Sequence, residues 1–323
     1  MSLKTNEKII MTIEKKVRSP RNKTLTLSVE ETERLAQKLQ NASPGMSLAQ
    51  IQDQIFHDDL LRVASFFPAQ SVDLLILDPP YNLDKDFHGL KFTRAGDKQY
   101  LDYLESWFPL LLPLLKPSAT VYFCGDWRNC ASIYTLLEKY LKIRNRITWQ
   151  REKGRGANAN WKNSTEDIWF ATLSDEYYFD LESVKVRRKV IAPYRQDGKA
   201  KDWEESASGK FRLTCPGNFW DDLTVPYWSM PENTDHPTQK PEKLLAKIIL
   251  ASSKPGDLVF DPFLGSGSTA VTAKKLARHY CGIEINREYC CWALARLEKA
   301  ENDKRIQGLH DGVFWERNSA PIG

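Results

Sequence analysis

The spacing of apolar positions divides the chain into alternating strand-like and helix-like stretches. Residues 71–77 (SVDLLIL) form a short, nearly continuous apolar run closed by Asp78-Pro79-Pro80, the pattern of a strand buried on both faces. Downstream, the pattern predicts a helix over 100–115, strands over 119–124 and 143–149 with a helix over 131–140 between them, and a further strand over 167–172. From about 175 to 232 the alternation stops, and the chain becomes polar, aromatic and irregular. It resumes with a helix over 241–252, whose apolar positions 244, 245, 248 and 249 share one face. A strand over 257–260, a helix over 268–277, a strand over 280–285 and a helix over 287–300 follow. Strand and helix alternating on both sides of an insertion predict an α/β fold: a mostly parallel sheet covered by helices on both faces. Upstream, Ser28 with Glu31 forms a capping-box pattern that opens a helix running to about Gln40. Residues 48–67 supply further short elements without a clear period.

Composition narrows the class. Of 323 residues, 41% are hydrophobic and 27% charged, enough apolar material for a sizeable core. No run of eighteen apolar residues exists, which excludes a helical membrane span, and the polar, basic N-terminus does not read as a secretory signal. None of the six cysteines forms a C-x-x-C pair, so neither a structural metal site nor a disulfide framework is expected, and a reduced, cytoplasmic setting is. The net charge is only +4, yet residues 1–25, 144–162 and 184–212 each carry a surplus of five positive charges. Basic segments on an otherwise acidic body suggest a surface facing a polyanion. The two inner segments also carry Trp149, Trp161, Tyr194 and Trp203, which suit stacking on bases.

Two strands end in loops that carry chemistry, where open α/β sheets place their ligands. In the second, Asp261-Pro262-Phe263-Leu264-Gly265-Ser266-Gly267-Ser268-Thr269, two glycines allow backbone conformations closed to other residues. The loop lacks the lysine of a phosphate-cradling turn and the third glycine of a dinucleotide fingerprint. Glu284 ends the next strand seventeen residues after Gly267, placed to accept hydrogen bonds from ribose hydroxyls. A nucleoside cofactor without a pyrophosphate satisfies these features. In the first loop, Asp78 offers an acceptor carboxylate, Pro79 and Pro80 offer stiffly held carbonyls, and Tyr81 offers a flat face. An exocyclic amino group that donates one hydrogen to Asp78 and the other to the Pro79 carbonyl is drawn towards a tetrahedral shape. Its lone pair is then free to attack a reactive methyl. The base must leave the duplex to reach such a site.

These motifs resemble those of the S-adenosylmethionine-dependent DNA amino-methyltransferases that modify adenine N6 or cytosine N4, over roughly residues 53–300. The resemblance implies a Rossmann-like methyltransferase fold. It implies that Asp78, Pro79, Pro80 and Tyr81 are the catalytic tetrapeptide. Asp261, Phe263, Gly265, Ser266, Gly267, Ser268 and Thr269 are then the cofactor loop, and Glu284 the acid on the ribose. His236, Thr238 and Lys240, in the segment HPTQKP, are implied at the methionine end of the cofactor. Asp58, in FHDDL, is implied at the cofactor's adenine amino group, although His57 stands where the family usually has glycine. The catalytic loop precedes the cofactor loop with the insertion between them, which resembles the permuted order called the beta class.

The organisation then expected is an N-terminal extension over 1–46, partly helical, and a catalytic half over 47–174. A target-recognition insertion follows over 175–232, then a cofactor-binding half over 233–303 and a C-terminal tail over 304–323. The implied partner is double-stranded DNA. Arg151, Lys153, Arg155 and Lys162 are candidates for phosphate contacts. Arg187, Arg188, Lys189, Arg195 and Gln196 are candidates for major-groove contacts. No metal and no membrane are expected. The chain is expected as a monomer or homodimer, with a cognate restriction endonuclease acting separately. An Asp-led tetrapeptide resembles the adenine-specific members, with cytosine N4 as the alternative. A nicotinamide-dependent oxidoreductase is opposed by the missing third glycine, and a non-catalytic DNA-binding regulator by the intact Asp78 to Tyr81. Glu166, Cys124 and Cys281 read as structural residues.

Overall fold

The computed structural model describes residues 18–82, 85–87, 90–92, 96–151, 159–191, 194–206, 209–317 and 319. Its centre is an eight-stranded sheet built from β1 (Gln54–His57), β2 (Val72–Leu77), β3 (Leu115–Gly125), β4 (Lys142–Gln150), β5 (Thr165–Thr172), β6 (Phe219–Trp220), β7 (Leu258–Asp261) and β8 (His279–Glu284). The spatial order is β1-β8-β7-β2-β3-β5-β4-β6. Every neighbouring pair is parallel except the two that β5 makes, with β3 and with β4. The mostly parallel sheet expected from the alternation is therefore present, with one reversed strand inside it.

The continuous apolar runs are explained by burial on both faces. Along β2, Val72, Leu75 and Leu77 enter one core, while Leu74 and Ile76 enter the other. β3 divides in the same way, Val121 and Phe123 against Tyr122 and Cys124, as a period of two requires. Helices α2 (Asp97–Leu111) and α3 (Cys130–Tyr140) cover the first face through Leu104, Trp107, Phe108, Ile133 and Leu137. Helices α4 (Glu242–Ser252), α5 (Ser268–Lys275) and α6 (Arg287–Asn302) cover the second through Leu245, Ile248, Val271, Ala293 and Leu297. The N-terminal helix α1 (Val29–Ala36) has the expected capping box at Ser28 and Glu31. It stops short of Gln40 and packs Leu35 onto Tyr289, Cys291 and Trp292 of α6.

The irregular stretch contributes to three sheets, one of them the two-stranded hairpin of Arg195–Gln196 with Lys199–Ala200. Phe219–Trp220 adds the edge strand β6 beside β4. Val186–Lys189, Glu204–Ser206 and Gly209–Thr214 form an antiparallel sheet of their own. The C-terminal strand Val313–Trp315 pairs parallel with Val186–Lys189, and Leu309–His310 completes this five-stranded sheet. A buried ionic cluster ties it to the main body. Asp222 pairs with Lys247 at 2.5 Å and with Lys243 at 3.2 Å. Lys243 also donates to the carbonyls of Trp315 and Arg317. Among the described residues no helix is long and apolar enough to cross a membrane.

Candidate active site

The two chemistry-bearing loops leave adjacent parallel strands at the same end. β7 pairs with β2 in the register Phe260 to Leu75, so Asp261 and Asp78 emerge side by side. Between them opens a cavity of about 320 Å³ lined by both loops, by Asp58 at the end of β1, and by Glu284 at the end of β8. His236, Thr238, Gln239 and Lys240 close one side, and Tyr103, Trp107, Phe263 and Tyr289 supply aromatic walls. Most of the candidate catalytic and cofactor residues meet at this cavity. Gly267 stands just behind its lining, where it caps α5.

The glycine turn is shaped by close approach. Gly265 has φ +56°, and a Cβ there would come within 3.0 Å of His236 Nε2. Gly267 has φ +82°, and its missing Cβ would lie 2.5 Å from the Cβ of Ala293 on α6. Polar side chains brace the loop from below. Thr269 donates to Asp261 Oδ2 at 2.5 Å, and the amide of Phe263 donates to Asp261 Oδ1 at 3.0 Å. Burial nonetheless pushes the Asp261 carboxyl up to about 7. Glu284 accepts from the amides of Gly265 and Asn286, both at 2.8 Å. Burial raises its carboxyl against the effect of those bonds. Arg296 on α6 donates to the Ser266 carbonyl at 2.8 Å and to Ser268 Oγ at 3.0 Å, and pairs with the buried Glu242 at 2.9 Å. The polar atoms of Ser266, Ser268 and Thr269 are thus engaged in holding the turn.

At the other end, Asp78 is the centre of a dense polar cluster. Lys240 donates to its two carboxylate oxygens at 2.8 and 2.7 Å, and the Tyr81 hydroxyl donates to Oδ1 at 2.9 Å. The same hydroxyl lies 2.6 Å from Glu166 Oε1, and Lys240 lies 2.7 Å from that atom. Arg151 holds the other Glu166 oxygen at 2.9 Å. The Glu166 and Lys240 side chains are only 3% and 7% exposed. Burial works against the charge on both, and the opposed charges prevail. Lys240 and Arg151 hold the Glu166 carboxyl below its ordinary range, and Asp78 and Glu166 hold the Lys240 ammonium above its own. The Tyr100 hydroxyl reaches the Pro80 carbonyl at 3.4 Å and stiffens the turn.

Several candidate residues have partners that their sequence motifs do not reveal. Lys240, expected at the methionine end of the cofactor, has its ammonium on Asp78 and Glu166. Arg151, expected on phosphate, is paired with Glu166. Glu166, read as structural, belongs to the polar cluster around Asp78. Asp58 does line the cavity, with its carboxylate paired to Arg62. Arg187 lies over the adjoining rings of Phe211 and Trp315, 4.8 and 5.0 Å from their centroids, and Arg188 pairs with Asp221 at 3.1 Å. Lys162, Lys189, Arg195 and Gln196 are exposed. Trp161 beside Lys162 is 93% exposed. Lys153 and Arg155 lie outside the described residues. Sequence reasoning missed Trp107, Tyr289, Asn286 and Arg296. The signal for Arg296 was present, since it falls among Ala293, Leu297 and Ala300 on the apolar side of its helix.

Comparison with known proteins sets this geometry in context. A DNA methylase family model matches residues 72–295, more than half of the chain. DNA adenine methyltransferase YhdJ of Escherichia coli (strain K12) is 35% identical over 255 residues, 77% of this chain and 83% of its own length. Type II methyltransferase M.HpaI of Haemophilus parainfluenzae is 34% identical over 235 residues, 72% of this chain and 70% of its own. The solved structure of the cytosine-N4-specific PvuII DNA methyltransferase superposes with a TM-score of 0.56 at 17% identity, over 77% of this chain and 90% of that one. The sheet architecture is thus shared with it.

Proposed function

Because the chain belongs to the N6/N4 DNA methylase family, we propose that it moves a methyl group from S-adenosylmethionine to the N6 amino group of an adenine extruded from double-stranded DNA. The observation that carries the reading is the single cavity shared by the Asp78–Tyr81 turn and the glycine turn. The residues around the glycine turn fit a nucleoside cofactor. Gly265 leaves the space a Cβ would fill, Glu284 is a buried carboxylate with spare lone pairs, and Asp58, Phe263 and Asn286 line the far wall. Glu284 would hold the ribose, and His236 and Thr238 the methionine end. When bound, S-adenosylmethionine supplies an electrophilic methyl group carried on a sulfonium.

The protein's part is orientation and electrostatics. Asp78 and the Pro79 carbonyl accept the two hydrogens of the amino group and turn its lone pair towards the cofactor end of the cavity. The Tyr81 ring, anchored through its hydroxyl, gives the base a fixed face to lie on. Ionised Asp261 favours a cationic cofactor over its neutral product. Exposed Lys162 would meet a phosphate, and exposed Lys189, Arg195 and Gln196 would reach base edges in the major groove. The name of YhdJ and the Asp-led tetrapeptide support adenine over cytosine. Similarity to M.HpaI, a Type II methyltransferase by name, supports a restriction-modification setting; a separately acting endonuclease and a monomeric or homodimeric chain complete this reading.

Treatment of long unmodified genomic DNA, followed by nucleoside mass spectrometry, is expected to yield N6-methyladenine. N4-methylcytosine in its place would reassign the base. Asp78→Ala should lower transfer by about a hundredfold or more while the cofactor Kd stays within about twofold. Native-rate methylation by that variant would remove Asp78 from its assigned role.

A further inference from the structure

We propose that Glu166 is a positioning residue that keeps the Asp78 carboxylate open to the substrate's amino group. The inference rests on the methyl-transfer reading above and follows from a count of protons and lone pairs. An ammonium carries three N–H donors, a phenol one O–H, and each carboxylate oxygen two lone pairs. The Lys240 ammonium has four acceptor atoms within 3.2 Å: Asp78 Oδ1 and Oδ2, Glu166 Oε1 and Tyr81 Oη. The Tyr81 hydroxyl has one proton and two carboxylates in reach, Asp78 at 2.9 Å and Glu166 at 2.6 Å. Asp78 Oδ1 is therefore met by two donors, which fill its lone pairs. Each of those donors has a second seat on Glu166.

An amino group arriving at Oδ1 then strands nothing. The Tyr81 proton turns to Glu166, and Lys240 keeps Asp78 Oδ2, Glu166 and Tyr81 Oη for its three hydrogens. Without the Glu166 carboxylate the count closes the other way. Tyr81 and Lys240 would both be committed to Asp78, and the incoming amine would have to break a buried bond with no replacement. Arg151 fixes the arrangement by holding Glu166 Oε2, which leaves Oε1 to face the pair. Glu166 stands behind the cavity wall that Tyr81 and Lys240 form, so it acts through them.

The test is a cycle of single-turnover measurements, with enzyme in excess over a pool of long unmodified genomic duplexes and tritiated S-adenosylmethionine. Glu166→Met removes the acceptor at similar volume and is expected to slow transfer by about tenfold or more. Its cofactor Kd, read by calorimetry, should stay within about twofold of the parent's. Tyr81→Phe alone is expected to slow transfer by about threefold through a looser ring. The double variant should be faster than Glu166→Met, because removing the hydroxyl returns a lone pair on Oδ1. Glu166→Asp, which keeps the carboxylate, should recover most of the rate. A double variant slower than either single variant would overturn the proposal, since that is what a bracing role alone produces. If Glu166→Met fails to bind cofactor, Glu166→Leu, which also lacks an acceptor, takes its place in the cycle with the same expected sign. An inactive parent enzyme would sink the methyl-transfer reading, whereas an active parent with additive losses would sink only the role of Glu166.

Discussion

Replacing Gly267 by alanine separates two costs that a glycine turn conceals. The residue sits at φ +82° as the cap of α5, a region that costs an L-residue roughly 1–2 kcal/mol. The added Cβ would also lie 2.5 Å from Ala293 Cβ and 2.8 Å from Ala293 Cα. Part of that obstruction is backbone of a packed helix, so α6 or the turn must shift, at a further cost of about 1–3 kcal/mol. The expected total is roughly 2–5 kcal/mol. Gly256 is the internal control. Its φ is +86°, but nothing lies within 4 Å of where a Cβ would be, so Gly256→Ala should cost only about 1–2 kcal/mol. Urea denaturation followed by circular dichroism reads both values. Ala293→Gly should itself cost about 1 kcal/mol as a helix-interior glycine. Combined with Gly267→Ala, it removes the 2.5 Å contact but leaves the Cα of residue 293 at 2.8 Å, so it should recover only part of the clash and none of the backbone cost. Equal losses for the two glycine variants, or strict additivity with Ala293→Gly, would show that α6 yields freely and that contact with it does not set the turn.

Three further outcomes test other parts of the structure. Asp261 is pushed by burial from 3.8 up to about 7, so the folded protein holds a proton there that the unfolded chain releases. Its contribution to stability should fall as pH rises through that window and flatten in Asp261→Asn, while binding of the cationic cofactor below pH 7 should release a proton, detectable by calorimetry in two buffers. Asp222→Ala leaves Lys243 and Lys247 buried without their carboxylate and should cost about 3–5 kcal/mol. Because burial lowers Lys243 to about 8 even with Asp222 beside it, and further without it, that loss in urea midpoint should shrink as pH rises towards 8, and a loss independent of pH would contradict the charge argument. Removing the Lys162 charge should lower the slope of log affinity for DNA against log salt by about one, and an unchanged slope would take it off the phosphate path.

The parts of the fold that the sequence made legible are those with a local signature. β2 and β3 are buried on both faces and show as apolar runs, and breakers mark where both loops begin. The edges of the sheet escaped notice for a physical reason. β1 has only Ile55 and Phe56 to bury, and β6 is two residues long, so neither builds a countable pattern. The predicted helix over 100–115 is Asp97–Leu111, begun by Gln99 bonding back to the Gly96 amide and followed by a tight turn through Pro113. In the site, the two loops were readable from glycine, proline and acid chemistry alone. The partners that assemble around Asp78 were not, because Lys240 lies 162 positions away in sequence and Glu166 lies 85 from Tyr81. Strand order, which local pattern does not encode, brings them together.

The parallel pairing of Val313–Trp315 with Val186–Lys189 also sets a timetable for synthesis. The middle strand leaves the ribosome about 125 residues ahead of its neighbour, an interval of roughly 6–25 seconds at ordinary elongation rates. Until then the Val186–Lys189 edge has no parallel partner, and Lys243 lacks the Trp315 and Arg317 carbonyls that satisfy it. The five-stranded sheet should therefore mature last, and trimming the chain before Val313 should yield a nascent product prone to edge-to-edge association even though its eight-stranded sheet is complete.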